Sequence, residues 1–208
     1  MLLSLLVFTL AALALFLSSQ ALLSRLFRLL PLNLLFFLLL PGIFLHEFSH
    51  ILMAELLRVK TGELKLRPEF SDGQLRLGSA QIASTDPLRL TLIGVAPFIS
   101  GTLALWLLFN FGLGDFLWYW KLGLGYLVFA IANTLFSSPS DLQAAAMPLV
   151  LVVILFGLFS LTNLDLPPNL IPALQTFFFQ LTRLFTYTLG INLVLLLPAW
   201  LISARIKA

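Results

Sequence analysis

Six long hydrophobic segments constrain this chain more than any other feature of its sequence. A helix needs about 20 apolar residues to cross the hydrocarbon core of a bilayer. The six segments reach or approach that length and lie at residues 2–23, 29–57, 88–111, 117–136, 146–162 and 184–203. The pattern predicts an all-α, multi-spanning membrane protein with about six transmembrane helices.

The composition agrees with a lipid bilayer as the solvent of this chain. Of its 208 residues, 60% are hydrophobic and only 10% are charged, whereas a soluble domain carries about 25% charged residues. The net charge of +3 is small, and the basic residues cluster beside the hydrophobic segments. Nucleic-acid binding is therefore not expected. Cysteine is absent from the sequence, which excludes disulfides and thiolate metal ligands.

No internal repeat or low-complexity linker divides the sequence, so we treat residues 1–208 as a single membrane-embedded domain. Its hydrophobic start lacks the basic residues that begin a secretory signal peptide, and we expect it to remain as a span. The second hydrophobic segment would be about 45 Å long as a helix, against a bilayer core of about 30 Å. Pro41-Gly42 in its middle predicts a kink.

Residues 58–87 form the one sizeable polar stretch of the sequence. Leucines alternate with polar residues on both sides of Asp72-Gly73, and an Asp-Gly pair is a strong signal for a tight turn. Alternation with a period of two is typical of a half-buried strand. We therefore predict a β-hairpin over about residues 62–81, at the cytoplasmic membrane surface. The alternating leucines are Leu64, Leu66, Leu75 and Leu77.

Both histidines of the chain lie in one short motif, His46-Glu47-Phe48-Ser49-His50, inside the second hydrophobic segment. Residues four apart share a face of a helix, so the two imidazoles can be directed at one metal ion. Glu47 can then reach a water molecule bound to that metal. This is the His-Glu-x-x-His arrangement of zinc hydrolases, with a carboxylate base and a water activated by zinc. Ionisable residues within a span are costly and indicate function by default.

A catalytic zinc usually takes three protein ligands and leaves one position open, so a third ligand is needed. With no further histidine and no cysteine, it should be a carboxylate. Glu55 lies off the motif face, and Asp115 and Asp165 fall on the opposite side in the predicted topology. Asp141 remains, because it follows the fourth span on the side where the second span ends, and its capping-box context is compatible with ligation. The other carboxylates belong to the hairpin or its exit: Glu63, Glu69, Asp72 and Asp86.

These motifs resemble those of the site-2 protease family of intramembrane zinc metalloproteases. Residues 42–50, Gly-Ile-Phe-Leu-His-Glu-Phe-Ser-His, resemble the first motif of that family. The second motif of the family reads Asn-x-x-Pro, four residues, then Asp-Gly. Asn133 and Asp141 have the matching separation of eight, whereas Phe136 and Leu142 stand where the family has its proline and its glycine.

The resemblance covers about residues 35–145 and implies a minimal member of the family, without a PDZ domain. We place the catalytic core at about residues 29–145. The substrate that the resemblance implies is a transmembrane segment of another protein, hydrolysed within or near the bilayer. The implied roles are general base and acid for Glu47, ligation of one zinc ion per chain by His46, His50 and Asp141, and positioning of the substrate or of a loop by Asn133.

Basic residues predict how the protein is oriented in the membrane. Six spans place the polar stretch and the C-terminus, with Arg205 and Lys207, on one side, which the positive-inside rule makes cytoplasmic. Arg25 and Arg28 then lie outside, and the larger basic cluster outweighs them. We expect an integral multi-pass protein of a prokaryotic cell membrane, with both termini and the active-site side cytoplasmic. The basic residues of the polar stretch are Arg58, Lys60, Lys65, Arg67, Arg76 and Arg89.

Other interpretations of the same motif stay open at this point. A zinc protease of the prenyl-protein-processing type takes its third ligand from a glutamate on a later helix, and no glutamate follows Glu69. A non-proteolytic membrane protein of the same fold could act as a metal-binding protein or scaffold, although metal binding alone does not require Glu47. The two histidines could also be structural, bonded to neighbouring helices, with Glu47 paired to an arginine.

Overall fold

The computed structural model of the protein describes residues 2–67, 69–71, 74–112, 117–135, 154 and 169–205. Over these residues, helices and strands follow the order of hydrophobic and polar stretches in the sequence. The helices are α1 (Leu2–Leu29), α2 (Leu32–Leu56), α3 (Pro87–Gly112), α4 (Trp118–Thr134) and α5 (Leu170–Arg205). The strands are β1 (Thr61–Lys65), β2 (Glu69–Ser71), β3 (Gln74–Arg76) and β4 (Ser79–Ile82).

Four of the described helices, α1, α2, α3 and α5, are long and apolar enough to cross a membrane. The predicted helical, multi-spanning architecture is confirmed for these four. The fourth predicted segment forms α4, whose 17 described residues are about 25 Å long, and the residues from 136 on lie outside the described part, so a complete fourth span stays a prediction. The predicted span at 146–162 lies outside the described residues except for Ile154, so the number six stays a prediction.

The helix boundaries differ from the predicted ones at two places. The helical conformation is interrupted at Leu30 and Pro31, between the end of α1 and the start of α2, because the residue before a proline avoids the helical conformation. Pro41 lies within α2, which continues through it. The last helix begins at Leu170, so the helix that the polar residues of 170–183 predict before the last span is continuous with that span.

The described helices pack around two larger apolar cores and a small third one, in which Ala54 and Val59 meet Ile93 of α3. The larger core joins α1, α3, α4 and α5 around side chains that are almost fully buried, among them Phe8, Leu15, Leu105, Leu181 and Phe185. A second core joins the end of α1 to the start of α2. Gly42 of α2 lets α4 approach closely, since a Cβ atom there would overlap Thr134 Oγ1 and the Ala130 carbonyl.

The polar stretch folds as two antiparallel strand pairs, β1 with β4 and β2 with β3. The predicted hairpin is therefore confirmed for the strands that the structure describes. Ser71 pairs with Gln74, which leaves two residues for the turn, and these, Asp72 and Gly73, lie outside the described residues. Asp86 caps α3 as an acceptor from the Arg89 N–H at 3.1 Å. That hydrogen bond, with the nearby guanidinium, lowers the pKa of Asp86.

The hairpin lies deeper along α2 than the predicted surface position. Gly78, just before β4, lies against the side chains of Ile43 and Glu47. Glu47 is nine residues before Leu56, the end of α2, which is about 14 Å along the helix axis. Leu66 and Leu77 pack against the second apolar core. The hairpin therefore runs back beside α2 as far as the histidine motif.

Candidate metal centre

The histidine motif lies in the middle of α2, in a part of the helix that is enclosed by its neighbours. His46, Glu47 and His50 are only 4%, 8% and 9% exposed. The ring centroids of the two histidines are 5.0 Å apart, with the ring planes at 81°. The i, i+4 spacing thus brings both imidazoles to one face of the helix, beside a buried carboxylate, as the sequence predicts.

Helix α3 orients His50 through a backbone hydrogen bond. The Nδ1 atom of His50 lies 2.9 Å from the carbonyl oxygen of Ile93, and both residues are buried. A carbonyl can only accept, so Nδ1 must carry the hydrogen and donate it. In a neutral imidazole the lone pair is then on Nε2.

Ser49, at the variable position before His50, also connects α2 to α3. Its hydroxyl forms a hydrogen bond with the hydroxyl of Ser100 in α3. Ser100 also donates to the Ala96 carbonyl at 2.9 Å. The motif is therefore attached to α3 at two successive residues. Sequence reasoning did not single out Ser49, Ser100 or Ile93, because nothing in the pattern shows which helix packs beside α2.

The chain before β4 lies directly against the proposed base. A Cβ atom at Gly78 would be 2.9 Å from Glu47 Cγ, 3.3 Å from Glu47 Oε1 and 3.0 Å from Ile43 Cγ2. The distance to Glu47 Cγ is shorter than real Cβ contacts, and the other two are tight, so the absence of a side chain at Gly78 favours this close approach of the backbone. The Glu47 carboxylate is thereby enclosed by α2 on one side and by the hairpin on another.

Helix α4 precedes Asp141, the predicted third zinc ligand, in the sequence. The direction of α4 therefore shows toward which part of α2 the chain continues. The Tyr126 hydroxyl donates to the Phe37 carbonyl at 3.4 Å, and Thr134 lies against Gly42 further along both helices. Helices α4 and α2 therefore run in parallel, and the chain leaves α4 toward the level of the histidine motif. Asp141 itself lies outside the described residues, six positions after Leu135, and its ligation of the metal stays a prediction.

The donor set that the structure brings together fits a zinc ion in part. Two imidazoles on one helix face are zinc ligands of the usual kind, and a third ligand is required. Within the described stretches, no group of three or more histidine, aspartate or glutamate residues is placed to hold a metal ion. Glu55 accepts a 2.6 Å hydrogen bond from Thr61 and Asp86 caps α3, so these two carboxylates have other roles.

Asn133, predicted to position the substrate or a loop, lies in a buried polar cluster between three helices. It is 2% exposed and exchanges two hydrogen bonds with the amide of Asn192 in α5, at 3.0 and 2.8 Å. The Asn192 amide also donates to Ser18 and Ser19 of α1 at 3.2 and 3.3 Å. Asn133 thus connects helices, and its role toward a substrate stays a prediction.

The candidate centre therefore consists of His46, Glu47 and His50, oriented by α3 and covered by the hairpin. Comparisons of this chain with protein-family models, with curated proteins and with solved structures found no match. Its interpretation rests on the chemistry and geometry of its own residues.

Proposed function

We propose that the protein is an intramembrane zinc endopeptidase that hydrolyses peptide bonds within or near transmembrane segments of membrane-protein substrates. One observation carries the proposal. His46, Glu47 and His50 are buried side by side within a helix that is long and apolar enough to cross a membrane. Three ionisable residues at such a position are costly, and their spacing is the one that zinc hydrolysis requires.

In this proposal His46 and His50 hold the zinc ion, with Asp141 as the third ligand. When bound, zinc polarises the scissile carbonyl and lowers the pKa of water. The Ile93 carbonyl keeps His50 in the tautomer that leaves Nε2 for the metal. Glu47 takes a proton from the attacking water as general base and returns it to the leaving amine as general acid.

The class of substrate follows from where the site lies. The motif is about 14 Å from the end of α2, so a peptide bond must enter the apolar part of the protein to reach Glu47. A segment of another membrane protein is already at that depth, whereas a soluble peptide would have to leave water. We accordingly place this activity in a prokaryotic cell membrane, with the hairpin side and both termini in the cytoplasm.

The test of the metal centre is the zinc content per chain of detergent-purified protein. We expect about one zinc in the wild type, a marked loss in Asp141→Ala, and full retention in the matched control Asp165→Ala. If zinc were retained in Asp141→Ala but lost in Asp165→Ala, the third ligand would be Asp165 and not Asp141. A well-folded wild type without zinc, even after zinc is supplied, would overturn the proposed function.

Glu47→Gln separates a protease from a metal-binding protein or scaffold. The amide keeps the shape of the side chain but cannot act as a base. We expect this variant to retain zinc and to lose cleavage of a co-expressed reporter set, in which single transmembrane helices carry a tag at each end. Loss of activity by about 100-fold or more is the size expected for a general base. Equal cleavage by Glu47→Gln and wild type would contradict the assigned role.

A further inference from the structure

A proline in α3 frees the carbonyl that orients His50. In an α-helix, the carbonyl of residue 93 would accept a hydrogen bond from the N–H of residue 97. Residue 97 is a proline within α3, and proline has no N–H to donate. Ile93 is 2% exposed, so water cannot easily replace the missing donor. A buried carbonyl in an apolar region needs another partner.

The partner that the structure provides is His50. Its Nδ1 atom lies 2.9 Å from the Ile93 oxygen, across the interface between α2 and α3. The hydrogen bond satisfies the carbonyl and at the same time decides where the imidazole carries its proton. With an alanine at position 97, the helix N–H would bond to the same carbonyl and share it with His50, which would weaken the hold on the imidazole.

The same arrangement occurs a second time in the protein, away from the histidines. Pro41 lies within α2 and cannot donate to the Phe37 carbonyl four residues earlier. That carbonyl accepts the Tyr126 hydroxyl of α4 at 3.4 Å. Two prolines in neighbouring helices thus each free a carbonyl for a side chain from another helix. At Pro97, the side chain that bonds to the freed carbonyl is His50, a proposed zinc ligand.

We infer that Pro97 is a positioning residue of the metal centre, acting through the Ile93 carbonyl to hold His50 with its proton on Nδ1 and its lone pair on Nε2. The inference about zinc rests on the proposed function. The inference about the tautomer does not, because it concerns the metal-free protein. Pro97 itself touches neither metal nor substrate in this role.

The deciding experiment is nitrogen NMR of metal-free protein labelled with ¹⁵N-histidine, in detergent at about pH 8, where a free imidazole is neutral. The chain has two histidines, and His46→Ala assigns the two sets of signals. We expect His50 in the wild type to show a protonated Nδ1 and an unprotonated Nε2. Pro97→Ala should shift these signals toward a mixture of the two tautomers, while the matched control Pro198→Ala, inside α5, leaves them unchanged.

Zinc affinity, measured by competition with a chelator, gives a second readout. Loss of a group that orients a metal ligand typically weakens metal binding by about 10- to 100-fold, and we expect this in Pro97→Ala but not in Pro198→Ala. Alanine favours the helix, so α3 should form in the variant.

A wild-type His50 with its proton on Nε2 would overturn the inference, as would a Pro97→Ala protein with unchanged tautomer and unchanged zinc affinity. If neither the wild type nor any variant binds zinc, the proposed function fails. The NMR result still decides whether Pro97 sets the tautomer of His50.

Discussion

At the scale of single residues, the contact between Gly78 and Glu47 links the hairpin to the proposed chemistry. The two residues are far apart in the sequence, yet the Gly78 backbone is so close to Glu47 that a Cβ atom at residue 78 would overlap Glu47 Cγ. A general base must be within hydrogen-bond reach of the proton that it takes. The position of Glu47 therefore depends on the absence of a side chain at residue 78.

We predict that Gly78→Ala lowers the rate of substrate cleavage by up to about 100-fold, the effect that a misplacement of about 1 Å in a catalytic group can have. The added methyl group would be 2.9 Å from Glu47 Cγ and 3.0 Å from Ile43 Cγ2, so Glu47 or the hairpin must move. Zinc content should stay at the wild-type value, because neither histidine is displaced directly.

Gly62→Ala is the matched control for this prediction. A Cβ atom there would be 2.7 Å from Oε1 of Gln81, whose flexible, exposed end can turn away, and 3.0 Å from Gln81 Cβ, a contact that a small shift of the strand relieves. We expect near-normal cleavage by Gly62→Ala. Normal cleavage by Gly78→Ala as well would show that Glu47 does not need this close backbone contact.

At the scale of the elements, buried polar pairs hold the helices together where apolar contacts alone do not define a register. The reciprocal amide pair of Asn133 and Asn192 joins α4 to α5, and Ser18 and Ser19 extend the cluster to α1. Hydrogen bonds between membrane helices contribute about 0.6 to 2 kcal/mol each. The cluster also keeps α4 in place, from which the chain continues toward Asp141.

We predict that Asn133→Leu and Asn192→Leu each lower the free energy of unfolding in detergent by about 1 to 2 kcal/mol, because each removes the reciprocal pair of hydrogen bonds between the two buried amides. The double variant should cost less than the sum of the two single variants, because it removes both members of the pair. Additive effects would indicate that the two side chains act independently. Retained zinc content in all three variants would separate this role in helix packing from the metal centre.

At the scale of the whole molecule, the distribution of charge predicts the orientation in the membrane. The absence of cysteine makes single-cysteine labelling straightforward. We predict that Ser84→Cys, after the hairpin, is protected from a membrane-impermeant thiol reagent in intact cells, whereas Asn33→Cys, at the opposite end of α2, reacts. Both positions are exposed on the protein. The opposite labelling pattern would mean that the basic hairpin lies outside, against the positive-inside rule.

Much of this protein follows from its sequence alone, because the decisive interactions are local. Hydrophobic length determines that the chain forms membrane-spanning helices, and Asp72-Gly73 between alternating leucines determines a hairpin. The spacing of four places His46 and His50 on one face of any helix that contains them. The cap that Asp86 forms on α3 and the break at Pro31 have local causes in the backbone chemistry of aspartate and proline, although the predicted second segment ran through Pro31.

Only the tertiary structure decides which distant groups meet this motif. The partner of His50 is a backbone carbonyl 43 residues away, and Asn133 bonds to an amide 59 residues away. The depth of the hairpin, which brings Gly78 to Glu47, likewise depends on how it packs against α2. These contacts depend on which helices and strands become neighbours, and hydrophobic periodicity does not encode that choice. The sequence by itself therefore determines the histidine pair, whereas tertiary packing decides which nitrogen of His50 carries the hydrogen.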